Sequence, residues 1–239
     1  MEQFSGPHIA ALIATAAIAG AAVAAARRGG EAWAVPIARV LAVAVLTSFA
    51  LEQLTYVERG AWTARVNLPF QLSDAVTLIS VLALWRPRTP VLVELAYFWA
   101  FTASLQAVLT PDLDPTFPDV LWFTYFGAHS GAIMAACLLV LGLRRLPRPG
   151  AAWRAYGITA CFTALAAIAT VLTGGNYMFL RHKPTRGSLL DVMGPWPVYI
   201  LAGAAIALAM FVALAALARL LRTRERPTVE GVPARAGKR

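Results

Sequence analysis

The chain has 239 residues, of which 59% are hydrophobic and only 14% charged, with a mean hydropathy of +0.64 and a formal net charge of +9. Soluble globular chains carry about 25% charged residues, so this composition points to an all-α integral membrane protein and excludes a nucleic-acid-binding domain, a disulfide scaffold and a soluble dinucleotide-binding enzyme. In a membrane chain the basic excess reports orientation before it reports any partner.

A helix crossing the hydrocarbon core needs about 20 apolar residues, and seven stretches meet that need: 7–26, 34–56, 68–84, 90–110, 118–143, 152–173 and 195–218. The first lacks the basic flank and cleavage site of a signal peptide, so it is expected to remain as a helix. Between the runs lie Arg27-Arg-Gly-Gly30, the segment from Glu58 to Asn67, Arg86-Pro-Arg-Thr-Pro90, the acidic Pro111 to Asp119, Arg144 to Pro149, and a long polar stretch from Gly174 to Gly194. Residues 1–218 therefore read as one transmembrane domain without internal repeats. Residues 219–239 read as a basic, disordered tail. Cys137 and Cys161 lie inside apolar runs and read as packing residues, with neither metal nor disulfide spacing.

Orientation follows from alternate loops. With the N-terminus outside, the cytoplasmic side collects 15 Lys and Arg residues, including Arg27, Arg86, Arg144, Arg148 and the tail, whereas the outer side holds five: Arg59, Arg65, Arg181, Lys183 and Arg186. This asymmetry predicts a bundle of seven transmembrane helices in the cell membrane, N-terminus outside and C-terminus cytoplasmic.

Ionisable residues inside such runs are costly and are functional candidates by default. Glu52 falls near the outer end of the second run, Gln71, Ser73 and Asp74 in the outer part of the third, and His129 about 16 Å into the fifth at 1.5 Å per residue. Ser73, Thr77 and Ser80 share one face at i, i+4, i+7 spacing. His129 is the one imidazole expected deep in the membrane. Asn176 and Tyr177 follow the sixth run, also at its outer end, whereas Arg39 and Glu94 fall in the inner half, where snorkelling or mutual pairing is expected. A lone hydroxyl in a membrane helix ordinarily bonds its own backbone and glues helices together. A serine beside an imidazole is also the minimum for nucleophilic acyl chemistry, but spacing alone does not bring these two runs into contact.

Several blocks carry a resemblance: Asn67-Leu-Pro-Phe-Gln-Leu-Ser-Asp74, Tyr97-Phe-Trp99, Leu109-Thr-Pro-Asp112, Phe126-Gly-Ala-His129, Gly175-Asn-Tyr-Met-Phe-Leu-Arg-His-Lys-Pro184 and Gly194-Pro-Trp-Pro-Val-Tyr199. Together with Phe4-Ser5 and His8 they resemble the YwaF-like family of seven-helix membrane proteins. That family is similar to a human transmembrane acyltransferase that edits ether phospholipids and, more remotely, to androgen-induced membrane hydrolases of fatty-acid esters. The resemblance implies a nucleophile at Ser73, where the acyltransferase-like members typically have Cys, and a base at His129; Gln71 stands where the family often has His.

The implied function is a membrane-embedded lipid acyltransferase or ester hydrolase acting near the outer leaflet on an acyl-lipid substrate. Ser73 and His129 would be catalytic, and Gln71, Asp74, Glu52, Asn176 and Tyr177 supporting. Arg181, Lys183 and Arg186 would bind a headgroup phosphate or simply anchor the interface. Membrane lipids are the expected partners; no nucleic acid, metal or cofactor is expected, and the oligomeric state is left open. Two other readings stay open: a transporter or channel with Asp74, Glu52 and His129 as a relay, and a non-catalytic binding protein in which the polar cluster locks the bundle.

Overall fold

The computed structural model describes residues 3–184 and 188–224. The described residues are all-helical, with no strand among them: α1 (Gly6–Glu58), α2 (Leu72–Trp85), α3 (Pro90–Trp99), α4 (Leu105–Leu109), α5 (Val120–Cys137), α6 (Ala151–Thr173) and α7 (Val198–Arg224). A π turn, Ala100–Ser104, joins α3 to α4, and a second, Leu138–Gly142, extends α5. Five helical stretches are long and apolar enough to cross a membrane, with α2 shorter at 14 residues.

The first two expected runs form one helix of 53 residues interrupted only at Gly30, where φ 59° and ψ −150° break the spiral. Glycine alone reaches such angles without strain. The two limbs run in opposite directions along α5. On the first limb, Thr15 Oγ1 donates to Ser130 Oγ at 2.8 Å and Arg27 Nε to the Leu141 carbonyl at 2.6 Å. On the second, Glu31 pairs with Arg145 at 3.0 Å and Arg59 with Asp119 at 3.1 Å. The segment is thus a helical hairpin whose reversal takes a single residue. The expected separator, Arg27 to Gly30, is otherwise helical because arginine is a good helix former and only the last glycine must leave the spiral.

Two glycines allow the second limb to approach α5. A Cβ on Gly127 would collide with Ser48 Oγ, and one on Gly131 with Val45 Cγ2. Small residues four apart on an apolar helix let backbones come close where no hydrophobic force drives association. Aromatics fasten the other side: Phe98 meets Phe211 at 5.0 Å, Tyr97 Oη donates to the Leu214 carbonyl at 3.0 Å, and Trp99 Nε1 donates to Thr159 Oγ1 at 2.8 Å. These contacts dock α6 and α7 onto α3.

At the arginine-rich end of the bundle, Glu94 is 2% exposed and receives Arg148 Nε and Arg154 Nη2, each at 2.8 Å. Arg39 lies 3.9 Å over the Trp85 ring and donates to the Trp85 carbonyl at 3.1 Å. Glu94 and Arg39 are therefore not paired with each other: the loop arginines reach Glu94 first, and Trp85 supplies a π face and a carbonyl to Arg39. α7 continues to Arg224, beyond the expected end at residue 218; residues 225–239 of the expected tail lie outside the described residues.

Candidate functional site

The third apolar run becomes helical only at Leu72, with Gln71 in extended N-cap geometry (φ −75°, ψ 144°). The preceding residues 63–71 are irregular because Asn67 and Pro69 interrupt the run. Their backbone is nevertheless satisfied locally: the Thr63 N–H donates to Asn67 Oδ1 at 2.9 Å, and the Asn67 N–H to the Thr63 carbonyl at 2.9 Å. Ser73 thus occupies the first turn of α2.

The segment after α6 folds back over this turn. Gly175 passes so close to the Arg65 carbonyl that any Cβ would collide with it. Tyr177 is fully buried; its hydroxyl donates to the Ala64 carbonyl at 2.6 Å and accepts from the Leu68 N–H at 3.1 Å. Gln71 Oε1 accepts from the Met178 N–H at 2.8 Å. Asn176, in contrast, closes its own loop: Oδ1 accepts from the Arg181 N–H at 2.9 Å and Nδ2 donates to the His182 carbonyl at 2.8 Å. Arg181 is exposed, while Lys183 donates to the Asp191 carbonyl at 3.4 Å and stands 5.6 Å from the Tyr199 ring centre. Arg186 lies outside the described residues.

Along α2, Thr77 Oγ1 donates to the Ser73 carbonyl at 2.9 Å, the local back-bonding that hydroxyls adopt in apolar helices. Ser73 itself is half-buried, and among the described residues no hydrogen bond joins its hydroxyl to His129. α2 and α5 are nonetheless in contact, and the π turn Ala100–Ser104 packs against both. Each of these three elements carries a buried polar atom with no hydrogen-bond partner among the described residues: Ser80 Oγ on α2, Ser104 Oγ in the π turn and His129 Nδ1 on α5. An unpaired buried polar atom costs about 1–3 kcal/mol, and three of them on packed elements make this region a candidate site; Arg145 Nε and Ser188 Oγ, elsewhere in the fold, are also unpaired among the described residues.

The His129 ring is 8% exposed and meets Tyr125 edge-on at 4.3 Å between centroids. Two carboxylates approach from other helices. Asp74 lies within electrostatic range of Glu52, and Glu52 within range of Tyr125 and Tyr56. The hairpin, α2 and α5 thus each contribute ionisable groups to one region. His8, in the first turn of α1, is also fully buried. Both nitrogens of His8 are used, Nδ1 accepting from the Phe4 N–H at 2.9 Å and Nε2 contacting the Val108 carbonyl at 2.8 Å. That arrangement ties down the N-terminus and leaves no ring nitrogen for proton transfer.

Several contributors were not anticipated. Tyr125 and Ser104 carry no motif of their own. Gly127 and Gly131 do, because Gly-Ala-His-Ser-Gly is a small-residue pair at i, i+4 inside an apolar run, and it places His129 on the face of α5 turned away from the glycine contact.

An all-helical arrangement of long apolar helices, with ionisable groups enclosed between them, defines a membrane protein. Residues 3–215 match the TMEM164 family, and the chain belongs to that family. No curated protein and no solved structure matches the chain.

Proposed function

We propose that the chain is a membrane-embedded lipid acyltransferase or ester hydrolase, with Ser73 as nucleophile and His129 as general base and then general acid. The observation that carries this reading is His129 itself: a buried imidazole with an unpaired Nδ1, on a helix packed against the one that bears Ser73. A structural histidine in an apolar bundle has its nitrogens satisfied, as His8 does. The resemblance to YwaF-like proteins and to the ether-phospholipid acyltransferase supports the same assignment.

In this reading Ser73 Oγ attacks the acyl carbonyl while His129 removes its proton; the proton then passes to the departing lipid oxygen, leaving an acyl-serine. Water or a second lipid hydroxyl takes the acyl group by the reverse sequence. Ser73 lies in the first turn of a helix whose N-cap side chain does not bond the turn; the Asp74 and Ala75 N–H groups are taken by the Gln71 carbonyl, so the Leu72 and Ser73 N–H groups are the ones suited to hold the oxyanion. Asn176 is less suited, its amide being engaged within its own loop. Glu52 and Asp74 supply negative charge to the same region, and Tyr125 holds the imidazole edge-on. Arg181 and Lys183 provide cations for a headgroup phosphate, and Arg186, outside the described residues, is a third candidate. The serine and the imidazole tighten to hydrogen-bond distance only when substrate is bound, as catalytic pairs often do.

The same reading takes seven crossings of the cell membrane, two of them the limbs of α1, with the N-terminus outside. The charge asymmetry supports this orientation, and so does the gathering of Arg88, Arg145 and Glu31 at one end of the bundle and of Arg59 and Asp119 at the other. Single cysteines in 58–67 and in 144–149 should be labelled from opposite faces of the membrane.

The enzyme reading is tested with a fluorophosphonate probe on the purified protein. Labelling at Ser73 that disappears in His129→Gln is expected. A well-folded protein that takes up no probe and releases no labelled acyl chain from mixed phospholipids excludes it. The proximity of Glu52 and Asp74 favours one second reading, an ion or proton relay of a transporter, for which proton flux in proteoliposomes is the measurement.

A further inference from the structure

We propose that the cleft between α6 and α7, at the arginine-rich end of the bundle, is a binding site for the headgroup phosphate of an anionic phospholipid. The cleft encloses a cavity of about 490 Å³ bordered by Arg148, Arg219 and Arg222 on its polar side and by Trp153, Val212 and Ala216 on its apolar side. It lies at the opposite end of the fold from Ser73 and is independent of the reaction proposed there.

Charge is the first argument. Arg148 and Arg154 share one carboxylate, Glu94, so this pairing leaves a positive charge uncompensated. Arg222 gives an N–H to the Pro147 carbonyl at 2.6 Å, a neutral acceptor that leaves its charge in place. Arg219 is exposed at the cavity, and among the described residues no Asp or Glu lines it. Guanidinium groups match phosphate oxygens in a planar, bidentate fork, and basic pockets between membrane helices near the interface take lipid headgroups.

Shape is the second argument. A site for a soluble anion needs only the polar wall, whereas this cavity continues onto Val212, Ala215 and Ala216, small residues that leave a trough along α7. Trp153, 64% exposed at the rim, places an indole where interfacial aromatics meet headgroups. Cationic at one end and apolar along the other, the cleft fits a molecule that is itself both.

The full-length protein, purified in neutral detergent, would be titrated with dihexanoyl phosphatidylglycerol, dihexanoyl phosphatidylcholine and inorganic phosphate, with tryptophan fluorescence and melting temperature as readouts. Phosphatidylglycerol should bind and stabilise, phosphatidylcholine should not, and phosphate should bind much more weakly. Arg219→Gln should raise the Kd for phosphatidylglycerol by about tenfold, the loss of one charge-assisted contact. Ala216→Trp, which fills the trough without changing charge, should do so as well, and it remains decisive if the arginine variant is unstable. Equal binding of phosphatidylcholine, or an unchanged Kd in Ala216→Trp, overturns the proposal. Phosphate binding as tightly as phosphatidylglycerol assigns the site to a free anion and overturns the lipid.

Discussion

The Tyr125 ring stands edge-on to His129 at 67°, with 4.3 Å between centroids, while its hydroxyl donates to the Ala107 carbonyl at 2.9 Å. The phenol is anchored at its far end and the imidazole leans on its near face, so the orientation of His129 is set from α4 through Tyr125. Tyr125→Phe should cost about 1 kcal/mol of stability through the lost bond and leave the ring contact. Tyr125→Ala should cost about 3–5 kcal/mol. Melting temperatures in one detergent check the order, and probe labelling of Ser73 should fall further in the alanine variant.

The hydroxyl of Ser73 separates chemistry from packing. Ser73→Ala should abolish acyl turnover while changing stability by about 1 kcal/mol at most. Ser73→Cys should keep some turnover, because a thiol ionises more readily. His129→Gln should silence both the Ser and the Cys forms. Labelled acyl release from mixed phospholipids checks each variant; full turnover by a folded Ser73→Ala variant removes Ser73 from the reaction.

Tyr177 joins two backbone groups of the irregular segment before α2. Tyr177→Phe keeps the ring and removes both bonds, leaving the Leu68 N–H and the Ala64 carbonyl to find other partners. A loss of about 1–3 kcal/mol is expected, at about 0.5–1.5 kcal/mol for each hydrogen bond removed, since Ala64 is exposed and Leu68 half-buried. Hydrogen exchange should accelerate selectively across residues 64–71; uniform acceleration through α2 and α5 would place the role of Tyr177 elsewhere.

Close approach at Gly131 predicts intolerance of bulk. Gly131→Leu drives a side chain into Val45 and should cost about 1–3 kcal/mol or more. Substitution at Gly157, whose Cβ position has nothing within 4 Å, should be nearly silent. Comparing the two in thermal unfolding distinguishes a packing glycine from an incidental one.

Arg59 and Asp119 close the end of the bundle that carries Ser73. The Leu121 N–H and the Arg59 guanidinium hold the Asp119 carboxyl below its ordinary value of 3.8. A carboxyl depressed in the folded state contributes stability that is present above pH 3.8, its unfolded value, and is lost as pH falls through the folded value. Asp119→Asn should therefore lower the melting temperature at pH 7 and converge with the wild type under strongly acid conditions. A constant difference from pH 7 down to pH 2 would refute the assignment.

Hydropathy made the long apolar stretches legible because the bilayer sets one length scale for every crossing. It placed α6 within a residue of its observed bounds but began α2 too early, since Leu68 and Phe70 are apolar without being helical. The reversal between the first two runs was legible from the Arg27 to Gly30 separator; its tightness was not, because helical backbone continues up to Gly30 on one side and from Glu31 on the other. Ser73 and His129 could be named from motifs, but the unpaired atoms around them could not: whether Ser80 and Ser104 find partners depends on how three distant segments pack. The role of Tyr177 was equally invisible, its partners lying 113 and 109 residues away in the chain.

The 14 residues of α2 span only about 21 Å at 1.5 Å per residue, against a hydrocarbon core of about 30 Å. A helix that short leaves the bilayer to thin beside it or the protein to fill the difference, and here residues 63–71 and the Tyr177 segment fill it. In the proposed orientation the start of α2 would then sit in a recess at the level where glycerol backbones join their acyl chains. On the acyl-transfer reading, a lipid diffusing past would meet that recess sideways and present its ester linkage without rising into water or sinking into the hydrocarbon. Depth would then be a form of substrate selection.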